Sequence, residues 1–493
     1  MRQYRYLYGY ALLLLASFAY TADRPNLLLI TVDDMNCDSI GVFDCKVPDT
    51  TPNIDKLALE GMRFNHAHVT IAVCQPCRAS LVTGMYPHNS GIEGFQRLPQ
   101  DSSIHCLQDF LKDAGYRIGK MGKGLHADPN PKSKWDLCTD NLGFGRNPEA
   151  FYKVAKAFFK EAASSDKPFY LNANAQDPHR PFADSDQEKQ KVKKRTYPAP
   201  SKTYKPKDVV VPGFLPDIPK VRQEIAEYYS SVRRADDVTG AILKALTESG
   251  AADNTIVVFL SDHGMALPFA KTNCYLHSTR TPLIVRWPGV IKPGSVDSDH
   301  MIGGIDFAPT ILEAAGLPIP KSIDGRSIVS ILKGGTQENR DFVFTQFHET
   351  SGKNRFPMRC VQSKRFGYVF NPWSDGRVFR NESQSGRSFK AMQAAAPGNK
   401  KIAARVNLFS KRVLEEFYHF ENDPDALTNQ VANPEYATEM KRLQAKLEAW
   451  MVEENDSALA AFRGRNSPKA VAAFMAQQDK IAAANKKNRK KRK

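Results

Sequence analysis

The sequence predicts an α/β fold: a large, mostly parallel central sheet flanked by helices, followed by a smaller C-terminal subdomain. Three observations predict it. Short continuous apolar runs such as Asn26 to Val32 (NLLLITV) and Thr255 to Leu260 (TIVVFL) recur along the chain, the pattern of strands buried on both faces. Helical patterns alternate with them, which implies parallel pairing. From about Asp341 the texture changes to aromatic strand-like runs (FVFTQF, RFGYVF, FYHF) and then helices.

The elements follow in order. The first strand, Asn26 to Val32, ends at once in Asp33-Asp34. Thr51 to Met62 opens with Thr-Pro and carries Ile54, Leu57 and Ala58 at helical spacing. A helix around Leu107 to Leu111 precedes a second strand, Gly115 to Met121, and Pro168 to Ala175 (PFYLNANA) is a third. Asp184 to Pro219, rich in Lys, Pro and Asp, reads as a long excursion. Val221 to Glu248 is a long helix, with Tyr228, Val232, Ala235, Val238 and Ile242 at three- and four-residue steps. Thr255 to Leu260 is the fourth strand, Pro282 to Arg286 the fifth, and Phe307 to Ala315 a further helix. Residues 466–493 taper into a polar, basic tail.

Composition narrows the function classes. At 493 residues and 42% hydrophobic content, disorder of the whole chain is excluded. Eight cysteines are too sparse for a disulfide scaffold. No apolar run reaches the roughly 18 residues of a membrane span, so no stable span is expected. Of the net charge of +16, seven charges sit in the last eight residues (KKNRKKRK). Such a tail reads as a solvated end, and no nucleic-acid partner is expected. At the other end, Arg2 and Arg5, the apolar stretch Ala11 to Ala19, and small residues at Ser17 and Ala19 have the order of a secretory signal over residues 1–22. Cleavage near 19–22 would leave a mature chain working outside the cytoplasm: secreted or periplasmic, or lysosomal in a eukaryote.

The strand ends carry the chemistry. The first delivers Asp33 and Asp34, the second Lys123 and His126, the third Asp177 and His179, and the fourth Asp262 and His263. In open parallel sheets, ligands bind beyond the carboxyl ends of the strands. Of these, Asp33, Asp34, Asp262 and His263 could supply three carboxylates and an imidazole, a set that suits a divalent cation, Ca²⁺ or Mg²⁺, with the imidazole softening the preference for a hard ion. In Val73 to Gly84 (VCQPCRASLVTG), Pro76 can open a helix at its first turn. Cys74 then lies just before a helix N-terminus, where free backbone N–H groups favour anions, with Arg78 one turn on. A nucleophile so placed outlines an anion-transfer site; a buried structural or disulfide-bonded cysteine is the competing reading. His66 and His68 read as core or supporting histidines. His277, near Lys271, stands open between a substrate contact and an inert loop position.

These residues carry a family resemblance. Cys74-Gln75-Pro76-Cys77-Arg78, with Leu81 and Thr83-Gly84, resembles the sulfatase signature C-x-P-x-R followed by L-x-T-G. Asp33-Asp34, Gly122-Lys123-x-x-His126, Asp177-Pro178-His179, Asp262-His263, Lys271 and the C-terminal Tyr418 to Pro424 agree in order and spacing, so the resemblance spans residues 24 to about 455. It implies an alkaline-phosphatase-like sandwich. The catalytic sulfatase domain would span 23–340 and a C-terminal subdomain with a short antiparallel sheet 341–460, with a helical to disordered basic tail over 461–493. It implies that a maturation enzyme oxidises Cys74 to formylglycine, whose hydrate is the nucleophile, and that Asp33, Asp34, Asp262 and His263 bind Ca²⁺ (Mg²⁺ as the alternative) together with that residue. Arg78 would hold the modified side chain, and Lys123 and Lys271 would bind sulfate oxygens. His179, assisted by Lys271, would protonate the leaving atom, and His126 would help regenerate the aldehyde. Cys77 replaces the Ser common in the signature, and Asp262-His263 replaces the more frequent Asp-Asn.

The texture around Asp177 to Arg180, Asp208 to Pro212 and Thr272 to Tyr275 is similar to the heparan N-sulfatase branch, whereas Asp262-His263 and Pro181-Phe182 resemble iduronate-type enzymes. The implied substrate is a sulfated oligosaccharide or polysaccharide. An O-sulfatase of the iduronate type, a phosphatase or phosphonate hydrolase on the same scaffold, and a glycan-binding relative without activity are the competing readings. The sequence leaves oligomeric state open.

Overall fold

In the computed structural model, which describes residues 24–191 and 197–491, the first apolar run is strand β1 (Asn26–Asp33), buried from Leu27 onward. It needs no polar face because both sides are covered. The expected signal at residues 1–22 lies outside the described residues. Helix α1 (Pro52–Leu59) opens on a proline, whose missing N–H would have had no partner there, and β2 (Met62–Phe64) and β3 (Ala67–His68) follow it. Helix α2 (Cys74–Thr83) is buried at every position and ends at Gly84, whose φ of 66° suits glycine. Next come β4 (Arg117–Met121), β5 (Leu137–Thr139), α3 (Pro148–Ser164) and β6 (Phe169–Pro178). The long helix α4 (Pro219–Glu248) leads to β7 (Thr255–Ser261), β8 (Leu283–Arg286), β9 (Ser295–Asp297), β10 (Ile302–Gly303) and α5 (Phe307–Ala314).

Eight of these strands form one sheet in the order β5-β4-β6-β1-β7-β8-β2-β9. The five from β5 to β7 are parallel. The fifth expected strand, β8, instead runs antiparallel to β7. The connection between them carries a loop and the one-turn helix Leu276–Thr279 rather than a crossover helix, so the chain turns back along the same edge. Helices α3 and α4 pack on each other, and α4 covers β6. Because β4, β6, β1 and β7 are adjacent and parallel, their carboxyl ends open on one edge.

The aromatic runs of the C-terminal part form a separate antiparallel sheet of β11 (Val343–Glu349), β12 (Arg355–Gln362), β13 (Phe366–Phe370) and β14 (Glu415–His419), in that order. Helices α6 (Arg387–Ala395), α7 (Lys400–Lys411), α8 (Ala437–Glu453) and α9 (Pro468–Lys491) accompany it. The expected taper at 466–493 is therefore a helix through Lys491. Phe474, Met475, Gln478 and Ala482 are buried, a spacing that puts them on one face. All eight cysteines are free thiols, so the disulfide reading of Cys74 is set aside. Among the described residues, no helix is long and apolar enough to cross a membrane.

Candidate active site

The shared edge collects the polar strand ends. Asp33 closes β1, and Asp34 follows it in the left-handed region at φ 69°. Beyond β4, Gly122, Lys123 and Gly124 all have positive φ, at 77°, 61° and 45°. A Cβ at Gly122 would run into the carbonyl of Asn174 on β6. Left-handed conformations at Asp34 and Lys123 are uncommon for residues with side chains and concentrate at functional sites. Asp262 and His263 follow β7, and Lys271 enters from the β7–β8 loop. Cys74 is the first residue of α2, one position further in than the sequence suggested, with Val73 as the extended residue before it. It therefore sits where the first backbone N–H groups lack intrahelical partners.

The side chains converge. Cys74 Sγ donates to Asp33 Oδ1 at 3.3 Å and lies 3.4 Å from His263 Nε2. Lys271 Nζ donates to both oxygens of Asp34, at 2.7 and 3.0 Å, and stands 3.8 Å from Cys74 Sγ. Lys123 forms an ion pair with Asp33. Arg78 Nε donates to Asp262 Oδ2 at 3.1 Å, and its Nη1 reaches Thr31 Oγ1 and Asn174 Oδ1 at 2.5 and 2.6 Å. Asp33, Asp34, Asp262 and His263 are fully buried.

Ligand atoms of Asp33, Cys74, Asp262 and His263 lie within 4.8 Å of one another, so these four could hold a metal ion. The donor chemistry fits a cation. His263 Nδ1 donates to the Gly264 carbonyl at 3.0 Å, which leaves the Nε2 lone pair facing inward. Asp34 Oδ1 lies 3.3 Å from it and Asp262 Oδ1 3.6 Å. Burial holds His263 below the ordinary histidine range, opposed by Asp262 and Asp34, and so favours the neutral ring. A bare nitrogen facing carboxylate oxygens is favourable when a cation lies between them.

The charges around this cluster are set by burial and by each other. Burial works most strongly against ionisation of Asp34, but Lys271, His179 and His263 together overcome it and hold the carboxyl below its usual value. Asp262 is likewise disfavoured by burial and then pulled well down by His263, Arg78 and Lys123. Burial alone would lower Lys271, yet Asp34 keeps it firmly protonated. His126 is pushed down to about 4 by its burial and then by Lys123 and Arg78. His179 is pushed down to about 3 by burial, against the pull of Asp34, and its Nδ1 contacts the Arg180 carbonyl at 2.5 Å. A cleft of about 550 Å³, lined in part by Gln75, Phe95, Gln96, Leu125 and His126, opens beside the cluster.

Asp177 does not join the cluster. Its carboxylate pairs with Arg146 at 2.9 Å and with Arg234, both buried. His277 is held between Asp425 at 3.1 Å and Asp38 at 3.7 Å, and His68 pairs with Thr279 Oγ1 at 3.1 Å inside the core. Sequence reasoning missed Thr31 and Asn174, which anchor Arg78. The signal was there: a hydroxyl and an amide inside strands that are otherwise apolar. It also missed Gln176, whose Oε1 lies 3.5 Å from Lys123 Nζ.

Comparison with known proteins follows the same lines. The chain is 28% identical over 481 residues to a human N-sulphoglucosamine sulphohydrolase, covering 90% of this chain and 93% of that protein. A solved structure described as a complex with its substrate D-glucosamine-2-N,6-O-disulfate superposes with a TM-score of 0.65 at 19% identity, covering 88% of this chain and 98% of the other. A phosphonate monoester hydrolase of Agrobacterium radiobacter shares the fold as well, with a TM-score of 0.64 at 19% identity over 87% of this chain and 96% of its own. The sulfatase family model matches residues 25–317, more than half of the length, and the chain belongs to the sulfatase family, whose members are sulfuric ester hydrolases.

Proposed function

We propose that this chain is a formylglycine-dependent sulfatase that removes sulfate, as an ester or as an N-sulfate, from sulfated glycans of the heparan type. The observation that carries the proposal is the seat of Cys74. It lies at the positive end of α2, touching Asp33 and His263, with the Lys271 ammonium 3.8 Å away. In this reading Asp33, Asp34, Asp262, His263 and the modified residue 74 hold one Ca²⁺, with Mg²⁺ as the alternative. When bound, the ion and the formylglycine hydrate supply positive charge against the sulfate and an attacking oxygen. Arg78 fixes Asp262 and the modified side chain. Lys123 and Lys271, now paired with Asp33 and Asp34, turn to the sulfate oxygens and offset charge that grows in the transition state. His179 carries the proton for the leaving oxygen or nitrogen, and an anion bound beside it raises its affinity for that proton. His126, neutral because of its burial, accepts a proton as sulfate departs.

The name of the human relative and the disulfated glucosamine bound by the structural neighbour support the glycan assignment. The catalytic part is assigned to 23–340 and the C-terminal subdomain to 341–460. The mature chain acts outside the cytoplasm after a maturation enzyme has converted Cys74. Two measurements test the reading on protein from a host with that machinery: the mass of the peptide containing Cys74, and sulfate release from N-sulfoglucosamine, 2-O-sulfated uronate and 6-O-sulfated hexosamine oligosaccharides. Conversion of CH₂SH to CHO together with sulfate release is expected. An unmodified thiol and no release overturn the proposal.

A further inference from the structure

The catalytic edge is walled on one side by a turn of the C-terminal part, and residues outside the signature motifs hold it there. Glu224 on α4 is the hub. Its Oε1 accepts from Arg180 Nη2 at 2.9 Å and from the Arg387 backbone at 3.0 Å, while Oε2 accepts from the Ser388 backbone at 2.6 Å. The N-terminus of α6 is thus tied to the residue that follows His179. Gly386 packs against the Arg180 guanidinium so closely that a Cβ there would collide with it. Arg180 Nη1 also reaches the backbone carbonyl of Glu382 at 3.4 Å. The one-turn helix Glu382–Ser385 is therefore seated against Arg180, the residue that follows His179.

The Glu382 side chain is anomalous. Both carboxylate oxygens are closed off from solvent, and neither has a hydrogen-bonding partner. A carboxylate left so costs free energy, and each such group in a native structure calls for an explanation. Lys271 feels its charge, which places it near the site, but no cation pairs with it among the described residues. Negative charge here cannot serve to hold sulfate. A carboxylate without partners offers only acceptors, and a sugar's hydroxyl groups can donate to it. A sugar that reaches Cys74 must part side chains that are just as closed, since Cys74 and Lys271 are 3% and 2% exposed.

We infer that the Glu382 carboxylate accepts hydrogen bonds from hydroxyl groups of the sugar that carries the scissile sulfate, and that it rejects sugars bearing a second sulfate at those hydroxyls. The inference rests on the sulfatase reading above and names the specificity element of that same site. A sulfated hydroxyl has lost its donor, so the carboxylate is left unpaired, and it brings a second anion against a buried one. Sites built to bond a hydroxyl discriminate strongly against analogues that lack it.

The test compares three probes on the matured enzyme and on Glu382→Gln. They are the monosulfated sugar that wild type turns over fastest, its disulfated counterparts, and 4-nitrophenyl sulfate, which has no sugar hydroxyls. Wild type is expected to favour the monosulfated sugar over at least one disulfated form by about tenfold or more in kcat/KM. Glu382→Gln should lower kcat/KM for the monosulfated sugar at least about tenfold more than for 4-nitrophenyl sulfate, and should shrink the mono-to-disulfated preference. Glu382→Asp, which keeps the charge but withdraws it, should lose affinity for the monosulfated sugar while still rejecting the second sulfate. Variants that lower all three activities in the same proportion, or leave the preference intact, overturn the inference alone. Wild-type protein that releases sulfate from none of the probes overturns the sulfatase reading and the inference with it.

Discussion

Arg78 and Asp262 meet at a single carboxylate oxygen: Nε lies 3.1 Å and Nη2 2.9 Å from Oδ2. The third nitrogen of the guanidinium is tied to Thr31 and Asn174, so the fork cannot swing. Asp262 Oδ1 is left to accept from the Asp34 backbone at 3.1 Å and to face His263. Lysine keeps the charge but has neither the plane nor the fork. Arg78→Lys should therefore weaken Ca²⁺ binding about 10- to 100-fold and lower sulfate release at least as far. Calorimetric titration of the stripped protein with Ca²⁺, beside an assay of released sulfate, checks it; unchanged binding would refute the orienting role.

The pH profile should carry the mark of His126. Burial, then Lys123 and Arg78, depress its pKa to about 4, so the base stays free where an ordinary histidine is already protonated. Turnover in wild type should hold between pH 6.5 and 5, and fall only as pH drops through about 4. The sign for stability is the same. A depressed folded pKa gives stability that is complete above the unfolded value near 6.5 and is lost as pH falls through 4, because the unfolded chain takes the proton first. His126→Gln should abolish most turnover and remove that part of the acid sensitivity. A wild-type limb centred near 6.5 would contradict the assignment.

The Cys74 thiol in a chain that has escaped maturation should be inert. Its burial raises the pKa well above the ordinary value, and Asp262 and Asp34 add to this against Lys271 and Arg78. The thiolate is the reactive form. Iodoacetamide at neutral pH should label the exposed Cys138 and leave Cys74 unlabelled until denaturant is added. Peptide masses read this directly, and equal labelling of the two would show that the site is open.

The catalytic edge was legible because strand ends and signature residues are local features. A run of apolar residues ending in Asp33-Asp34 names both a strand and its edge, and Pro76 marks the first turn of α2. Contacts between distant segments leave no such trace. Nothing near Glu382 announces that Arg180, about two hundred positions earlier, will hold its backbone. The antiparallel turn-back of β8 depends on what the β7–β8 loop omits, namely a crossover helix. Asp177 stands beside His179 at the end of β6, yet it pairs with two arginines rather than joining the cluster. Its partners Arg146 and Arg234 come from the segment before α3 and from α4, and only the fold brings them together. In sequence the tail stands between helical and disordered because its lysines mask a sparse apolar face, Phe474, Met475 and Ala482.

Glu224→Gln should loosen the junction rather than the core. The substitution removes charge opposite the buried Arg180 and turns an amide donor toward the Arg387 and Ser388 N–H groups, which need acceptors. Breaking a buried pair by removing one partner costs about 3–5 kcal/mol, with the neutral amide at the low end. Denaturant titration should show that loss, and hydrogen exchange should show Arg387–Ala395 opening before the central sheet. Uniform loss of protection across the whole chain would mean that Glu224 is not the tie.

The last helix is held by few contacts, which makes its contribution separable. Phe474 and Met475 are buried, Gln478 Oε1 accepts from Arg355 Nε at 2.6 Å, and Asn485 Nδ2 donates to Glu349 at 2.6 Å. Arg355 in turn pairs with Glu93 at 2.6 Å, so the helix covers a charged network that would otherwise meet water. Phe474→Ala should cost about 3 kcal/mol, at the lower end for an aromatic truncation because the site lies near the surface. Lys486→Ala removes only an exposed contact to Asn354 at 2.8 Å and should stay within about 0.5 kcal/mol of wild type. Chemical denaturation of the two variants side by side decides the matter: equal midpoints would mean that the helix does not dock in solution.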